Sequence, residues 1–259
     1  MEYVWNLNPI ALSAFGLEIR WYGIVYVAGF YLGQFWGWKI LNKLFKKPPL
    51  SYKQFEALLF SIFIGGIIGG RLGHFLFFYP ETIWQNPLQI FKIWEGGMAI
   101  QGGLIGALLS GIIWIKRHKA KISLLQFTHI LTLPLVLTLF FGRIANFING
   151  ELIGQKTDQP FGVIFPHYDE FLRHPVVLYE ASIHLIIFFV LLAIFYFRPL
   201  YFSRSAFALF LGLYGFGRFW VEYLKLSPAG FGGLTSGQWI CLVMIGSSVY
   251  LLLQQKKTP

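Results

Sequence analysis

Stretches of about 20 apolar residues begin near Trp21, Glu56, Gly97, Ile122, Tyr179, Ala206 and Gly237. Each is long enough to carry a helix through roughly 30 Å of hydrocarbon. Together they leave nothing over in a 259-residue chain for a soluble core. With 56% hydrophobic and 12% charged residues and a mean hydropathy of +0.60, the composition lies outside that of a soluble domain. The expected fold is all-α: a polytopic membrane helix bundle of about seven transmembrane spans, forming one integral membrane domain over residues 1–259. Met1-Glu2-Tyr3 carries no basic n-region, and no small-residue cleavage site follows the first apolar run. That run therefore reads as a retained span rather than a removed signal peptide.

The formal charge of +10 suggests an anionic partner, and its distribution says which kind. Lys39, Lys43, Lys46, Lys47 and Lys53 fill one connection, and Lys116, Arg117, Lys119 and Lys121 another. Arg198 and Arg204 flank a third, and Lys256 and Lys257 close the chain. The intervening segments 1–20, 80–96, 142–178 and 224–237 hold few basic residues and most of the acids, which is the positive-inside pattern. It predicts an outer N-terminus, a cytoplasmic C-terminus and attraction to anionic lipid of the bilayer, with no need for a nucleic-acid partner. Cys241, the single cysteine, lies in the last apolar run and reads as a buried structural thiol.

Glycines recur every fourth residue at Gly65, Gly69 and Gly73 and again at Gly66 and Gly70, two small-residue stripes that let a neighbouring helix approach closely. The stretch from Gly96 to Gly106 opens a span, where glycines permit irregular backbone lining a cavity. It is no dinucleotide fingerprint, because no strand precedes it and the spacing differs.

Against this background the run Gly142-Arg143-Ile144-Ala145-Asn146-Phe147-Ile148-Asn149-Gly150-Glu151-Leu152-Ile153-Gly154 is out of character. An arginine or glutamate near hydrocarbon costs roughly 2.5–3.5 kcal/mol on insertion scales, so it persists where it pairs or handles a substrate. An inter-span turn with an Arg143–Glu151 pair is one reading and a ligand site is the other. Further polar groups sit within spans: Arg71 three residues before His74, Tyr22 four before Tyr26, and Tyr214, Arg218 and Glu222 at successive i+4 spacing. An Arg218–Glu222 pair alone explains the last stripe. Convergence with Arg143 and Glu151 requires a polar cavity at the outer face, built by the outer halves of the spans and the 142–178 segment.

A cavity holding two or three arginines calls for an anion, since a guanidinium fork binds phosphate oxygens in a bidentate way and stays charged in a partly dry site. At this depth the ligand is a phospholipid headgroup. No Ser-His-Asp or Cys-His constellation points to acyl transfer. The histidines at 74, 118, 129, 167, 174 and 184 lack metal-ligand spacing, so neither metal nor cofactor is expected.

The run Gly142 to Gly154 resembles the signature of the prolipoprotein diacylglyceryl transferase family. Other segments agree in the same order: Arg20-Trp21-Tyr22-Gly23 with Tyr26, Gly70-Arg71-Leu72-Gly73, Gly96 to Gly106, Arg173-His174-Pro175, Leu178-Tyr179-Glu180, Tyr214 with Arg218 and Glu222, and Gly237-Gln238. The resemblance implies a bacterial plasma (inner) membrane enzyme with its site toward the extracytoplasmic face. Its substrates would be phosphatidylglycerol and prolipoprotein signal peptides carrying a lipobox cysteine.

In such a reaction a thiol sulfur attacks the glyceryl carbon next to the phosphate ester, forming a thioether and releasing glycerol phosphate. Arg143 and Arg218 suit the developing phosphate charge. Asn146 is expected to fix glycerol hydroxyls or phosphate, and Glu151 and Glu222 to hold the arginines. Tyr26 offers a phenol for the headgroup, and equally for packing between helices. Gly142, Gly154, Tyr214, Arg71, His74 and Gln101 complete the expected substrate site, with Gly154 allowing a tight backbone path. Two positions depart from the family: Gln101 stands where histidine is common, and Val177 where a polar residue is usual. Glutamine exchanges no proton near neutral pH, so a general-base role does not transfer to Gln101. The competing class is a non-enzymatic phospholipid-binding membrane protein, a transporter or an assembly factor, and only product formation separates the two.

Overall fold

The structure, a computed structural model, describes residues 3–14, 17–92 and 96–255. Met1, Glu2, Lys256 and Lys257, used above for the leader and charge readings, lie outside the described residues. Among the described residues eight α-helices follow in order: α1 (Trp21–Leu44), α2 (Tyr52–Phe78), α3 (Pro80–Gln85), α4 (Ile100–Arg117), α5 (Leu124–Ile148), α6 (Val176–Phe197), α7 (Pro199–Val221) and α8 (Ser236–Gln255). All but α3 and α7 begin within four residues of the start of an apolar run, and α7 begins seven residues before Ala206. Four of them, α2, α5, α6 and α8, are long and apolar enough to cross a membrane.

The helical frame expected from the sequence carries two small sheets that the sequence did not suggest. The strands among the described residues are β1 (Tyr3–Val4), β2 (Ile10–Ala14), β3 (Leu17–Arg20), β4 (Val163–Ile164) and β5 (Leu172–Arg173). β2 and β3 form a hairpin, while β4 lies between a parallel β1 and an antiparallel β5. Strands of two residues carry no readable period of their own.

The chain divides into two compact units, one of residues 38–127 and the other of residues up to 37 together with 128 onward. In the first, α2 starts with a reciprocal cap. Ser51 Oγ accepts from the Gln54 amide at 3.4 Å, and Gln54 Oε1 accepts from the Ser51 amide at 2.9 Å. The glycine stripe of α2 then meets the glycines of α4. A Cβ added at Gly69 would fall 2.8 Å from Gly106 Cα, and one at Gly73 would fall 2.7 Å from Gly102 Cα. No real Cβ tolerates backbone that close, so glycine is what allows the two axes to approach. Gly66, on the other stripe, has 3.7 Å to the nearest atom. Gly69→Ala is therefore expected to lower stability in detergent by about 1–3 kcal/mol, the usual penalty for overpacking, while Gly66→Ala stays close to the parent. Thermal unfolding of the two variants side by side checks this.

In the second unit α7 and α8 run antiparallel. Ser248 Oγ donates to Ala208 O at 2.6 Å, and a Cβ at Gly215 would sit 3.0 Å from Cys241 O, with the Cys241 side chain buried. α6 turns Glu180, His184, Ile187 and Leu191 inward and leaves Ile186, Phe189 and Val190 exposed. An apolar outer face around a polar inner stripe is the arrangement of a lipid-facing helix. Residues near the N-terminus brace the 149–175 segment. The Trp5 indole donates to Phe147 O at 2.8 Å, its amide donates to Ile164 O at 2.8 Å, and its ring meets that of His167 edge-on at 4.9 Å.

Candidate active site

One carboxylate organises the site, and it is Glu180 in the first turns of α6. Its side chain is wholly buried and faces three cations. Arg143 Nε of α5 lies 2.7 Å from Oε2, and from Oε1 Lys225 Nζ lies 2.5 Å and Arg218 Nη1 of α7 3.6 Å. A second carboxylate, Glu222, stands just past α7, 3.8 Å from Arg218 Nη2 and 3.4 Å from Lys225 Nζ. A buried charge without a partner is strongly destabilising, so each of these groups depends on the others. Three cations against two carboxylates leave one positive charge in excess. The side chains of Arg143 and Arg218 stay 19% and 24% exposed, enough to meet a ligand.

Glu222 is held from the α8 side. Its Oε1 accepts from Ser227 Oγ at 3.1 Å and Thr235 Oγ1 at 3.3 Å, and any side chain at Gly237 would run into the carboxylate. Thr235 and Gln238 also cap α8 reciprocally, the Thr235 amide donating to Gln238 Oε1 and the Gln238 amide to Thr235 Oγ1. The Gly237-Gln238 pair thus acts by shaping the wall behind Glu222.

Between the arginines sits Tyr214. Its hydroxyl accepts from Arg218 Nη1 at 3.0 Å and Arg143 Nη2 at 3.3 Å, and its ring stacks on Phe210 and packs against His184. With its lone pairs engaged, the phenol keeps its own proton free to donate. Arg143 Nη1 also donates to Asn146 Oδ1 at 3.3 Å, while Asn146 Nδ2 donates to Glu151 Oε2 at 2.9 Å. Glu151 therefore couples to Arg143 through Asn146, and its other oxygen accepts from Asn149 Nδ2 at 3.0 Å. The direct partner of Arg143 is Glu180. Tyr26 packs against Tyr22, ring centres 5.2 Å apart and planes tilted by 54°, and interacts electrostatically with Arg143.

The two signature glycines differ. A side chain at Gly142 would meet nothing within 4 Å, whereas at Gly154 it would strike Val176 Cγ1 and His174 Cβ within 3 Å. Gly154 bridges to Lys225, and the Gln155 amide donates to Leu224 O at 2.8 Å, which fixes the backbone that presents Lys225 to Glu180. Nearby, Arg173 Nη1 donates to Gly154 O at 3.0 Å while its Nε reaches Asp169 Oδ1 at 2.9 Å. Hydrogen bonding to Arg173 holds the Asp169 carboxyl below the usual carboxylate range, and the same bond raises Arg173. Burial pushes the His174 imidazole down. A depressed carboxyl contributes stability that is complete above its unfolded value near 3.9 and fades only as pH falls through the lower folded value. Amide exchange of β5, corrected for its intrinsic rate, is accordingly expected to match at pH 7 and pH 5 and to quicken in Asp169→Asn.

Arg71, His74 and Gln101 belong to the 38–127 unit. All five donors of the buried Arg71 guanidinium meet backbone carbonyls: Nε on Ile90 at 3.0 Å, Nη2 on Gln89 at 2.7 Å and Lys92 at 2.8 Å, and Nη1 on Gly96 and, at 3.2 Å, Gly97. The residue expected to bind substrate is thus engaged in clamping the chain between α3 and α4. His74 is half-buried beside Gly97, whose φ of +78° and lack of a side chain give the imidazole its room. Gln101 is exposed in the first turn of α4.

A family model described as prolipoprotein diacylglyceryl transferase matches residues 9–254. The chain belongs to that family. Among similar proteins named phosphatidylglycerol--prolipoprotein diacylglyceryl transferase, that of Tolumonas auensis is 36% identical, covering 98% of this chain and 97% of its own. Those of Rickettsia bellii and Xanthomonas campestris pv. campestris are each 37% identical, covering 96% and 100% of this chain and 95% of their own. Membership in a transferase family, with several membrane-crossing helices, makes this a multi-pass membrane protein.

Sequence reasoning assigned no role to Glu180 or Lys225. Glu180 was findable by the argument used for Arg143, because it is the one acid inside the fifth apolar run. Lys225 gave no such signal, lying in a polar connection after α7.

Proposed function

We propose that this protein transfers the diacylglyceryl group of phosphatidylglycerol to the lipobox cysteine thiol of prolipoproteins, forming a thioether and releasing glycerol phosphate. The observation that carries this reading is the pair of partly exposed guanidiniums held by the buried Glu180 across one phenol. Together with family membership, it favours bond breaking at a phosphate over passive lipid binding.

Sulfur attacks the glyceryl carbon, the carbon–oxygen bond breaks, and the phosphate oxygen departs with the electron pair. Arg143 and Arg218 face the charge that grows on that phosphate, and a preorganised donor of this kind lowers a barrier by about 3 kcal/mol. Asn146 and the Tyr214 hydroxyl orient the glycerol phosphate, with Gly142 leaving space beside them and Tyr26 meeting the headgroup. The proton lost by the thiol is balanced by the released monoester, whose second ionisation lies near pH 6. Glu151 and Glu222 position Asn146 and Arg218. Gly154 orders the backbone behind Lys225, Arg71 orders the loop before α4, and His74 and Gln101 flank that loop.

We read residues 1–259 as one integral membrane domain of seven spans in the bacterial inner membrane, N-terminus outside and C-terminus in the cytoplasm, with the site toward the extracytoplasmic face. The basic connections at 39–53 and 116–121 support this orientation.

The deciding experiment supplies purified protein in detergent with a lipobox-containing signal peptide and phosphatidylglycerol and measures thioether-linked lipopeptide. A protein that binds phosphatidylglycerol yet makes none would be a lipid-binding protein instead. Gln101→His is expected to change the rate only modestly, since an amide offers a donor and an acceptor as a neutral imidazole does. A silent parent revived by that change would place the required base at position 101.

A further inference from the structure

At the opposite end of the α7–α8 pair from the arginines lies a cleft of about 570 Å³ that plays no part in the proposed reaction. Leu200 and Tyr201 of α7 and Val249, Leu252 and Leu253 of α8 line it, and Arg204 stands at its edge. The two helices are tied at Ser248 and Ala208, and at the last turn the Gln255 side-chain amide donates to Arg204 O. The walls are apolar and much of them is exposed, Leu200 at 67% and Leu253 at 55%. The Arg204 side chain is exposed and meets no carboxylate among the described residues. Arg198 is the cap residue before the same helix.

We infer that this cleft binds an anionic phospholipid, one acyl chain lying along the α7–α8 groove and the headgroup phosphate on Arg204. An apolar slot a few residues wide matches a hydrocarbon tail and nothing soluble. An exposed arginine at the rim of an apolar groove between α7 and α8 selects an anionic headgroup, and the charge distribution assigns this end to the cytoplasmic leaflet. From Arg204 to Arg218 the helix rises about 21 Å, so the lipid sits in the other leaflet from the reacting one. It acts as a bound structural lipid rather than as substrate. The inference does not depend on the transferase reading.

Phosphatidylserine is the probe, because phosphatidylglycerol would also occupy the arginine site. The full chain, delipidated in detergent, is titrated with phosphatidylserine or with phosphatidylcholine of the same acyl chains, and the bound lipid is counted by native mass spectrometry. One phosphatidylserine per chain is expected, with phosphatidylcholine held at least about fivefold more weakly, the weight of a single cation at a charged surface. Arg204→Ala is expected to lose about the same factor, and Leu252→Trp, which fills the groove, to lose the lipid altogether. Should Arg204→Ala fail to fold, Arg204→Gln carries the same reading. Equal retention of the two lipids, or unchanged binding in both the rim and groove variants, overturns the proposal. So does loss of phosphatidylserine only in Arg143→Ala, which would place the anion in the catalytic site. Displacement by free glycerol phosphate would show that the phosphate alone binds, without a tail in the groove, and would overturn it as well.

Discussion

Alanine at Arg143 or at Arg218 is expected to lower thioether formation by at least about a hundredfold while the protein still inserts and purifies as a monodisperse species. Each guanidinium combines a fixed inner edge, tied to Glu180 and Tyr214, with an outer edge that remains accessible. The loss should fall on kcat rather than KM, since the charge these groups meet grows only as the phosphate departs. Lysine at either position should rescue partly. It restores charge without the planar fork, so it cannot hold Tyr214 and a phosphate oxygen together. Near-normal turnover in either alanine variant would remove that arginine from the site.

Glu180→Gln should be the most damaging single change in the protein. It deletes the buried negative charge and leaves Arg143, Arg218 and Lys225 facing one another with only Glu222 between them. Breaking a buried ion pair by removing one partner costs roughly 3–5 kcal/mol, and here one carboxylate serves three cations. Melting temperature in detergent should drop sharply and transfer should become undetectable. Adding Lys225→Met removes one of the unpaired cations. The double variant is expected to regain stability but not activity, because the orientation of Arg143 rests on Glu180 itself. Recovery of both would mean that Glu180 only balances charge.

The long helices were legible because each is an apolar run with basic residues at alternate ends, and glycines at every fourth residue on α2 announced a close seam with a neighbouring helix, which is α4. Tyr214, Arg218 and Glu222 could be placed together from i+4 spacing, and Arg143, Asn146 and Glu151 from one short run. What joins those two groups was not legible. Glu180 reaches across from a third helix and Lys225 from a connection, and no local period records contacts of that separation. Arg71 shows the same limit from the other side: a guanidinium in a span invited a phosphate reading, while its carbonyl partners lie 18 to 26 residues away in an irregular segment. The three-stranded sheet was invisible for a simpler reason, its two-residue strands being too short to alternate.

The pairing of β1 with β4 joins Tyr3 to Val163 and so ties the beginning of the chain to a segment translated long afterwards. At about 5–20 residues per second, Val163 leaves the ribosome roughly 10–30 s after Tyr3. During that interval the helices up to α5 can already be inserting, while the first strand and the Trp5 indole wait without their partners. The rim beside the signature glycines can therefore close only late in biosynthesis. A half-made chain would hold Arg143 and Asn146 on α5 with neither Glu180 nor the N-terminal brace in place, and the newborn protein stays chemically idle until α7 and the Lys225 that follows it arrive.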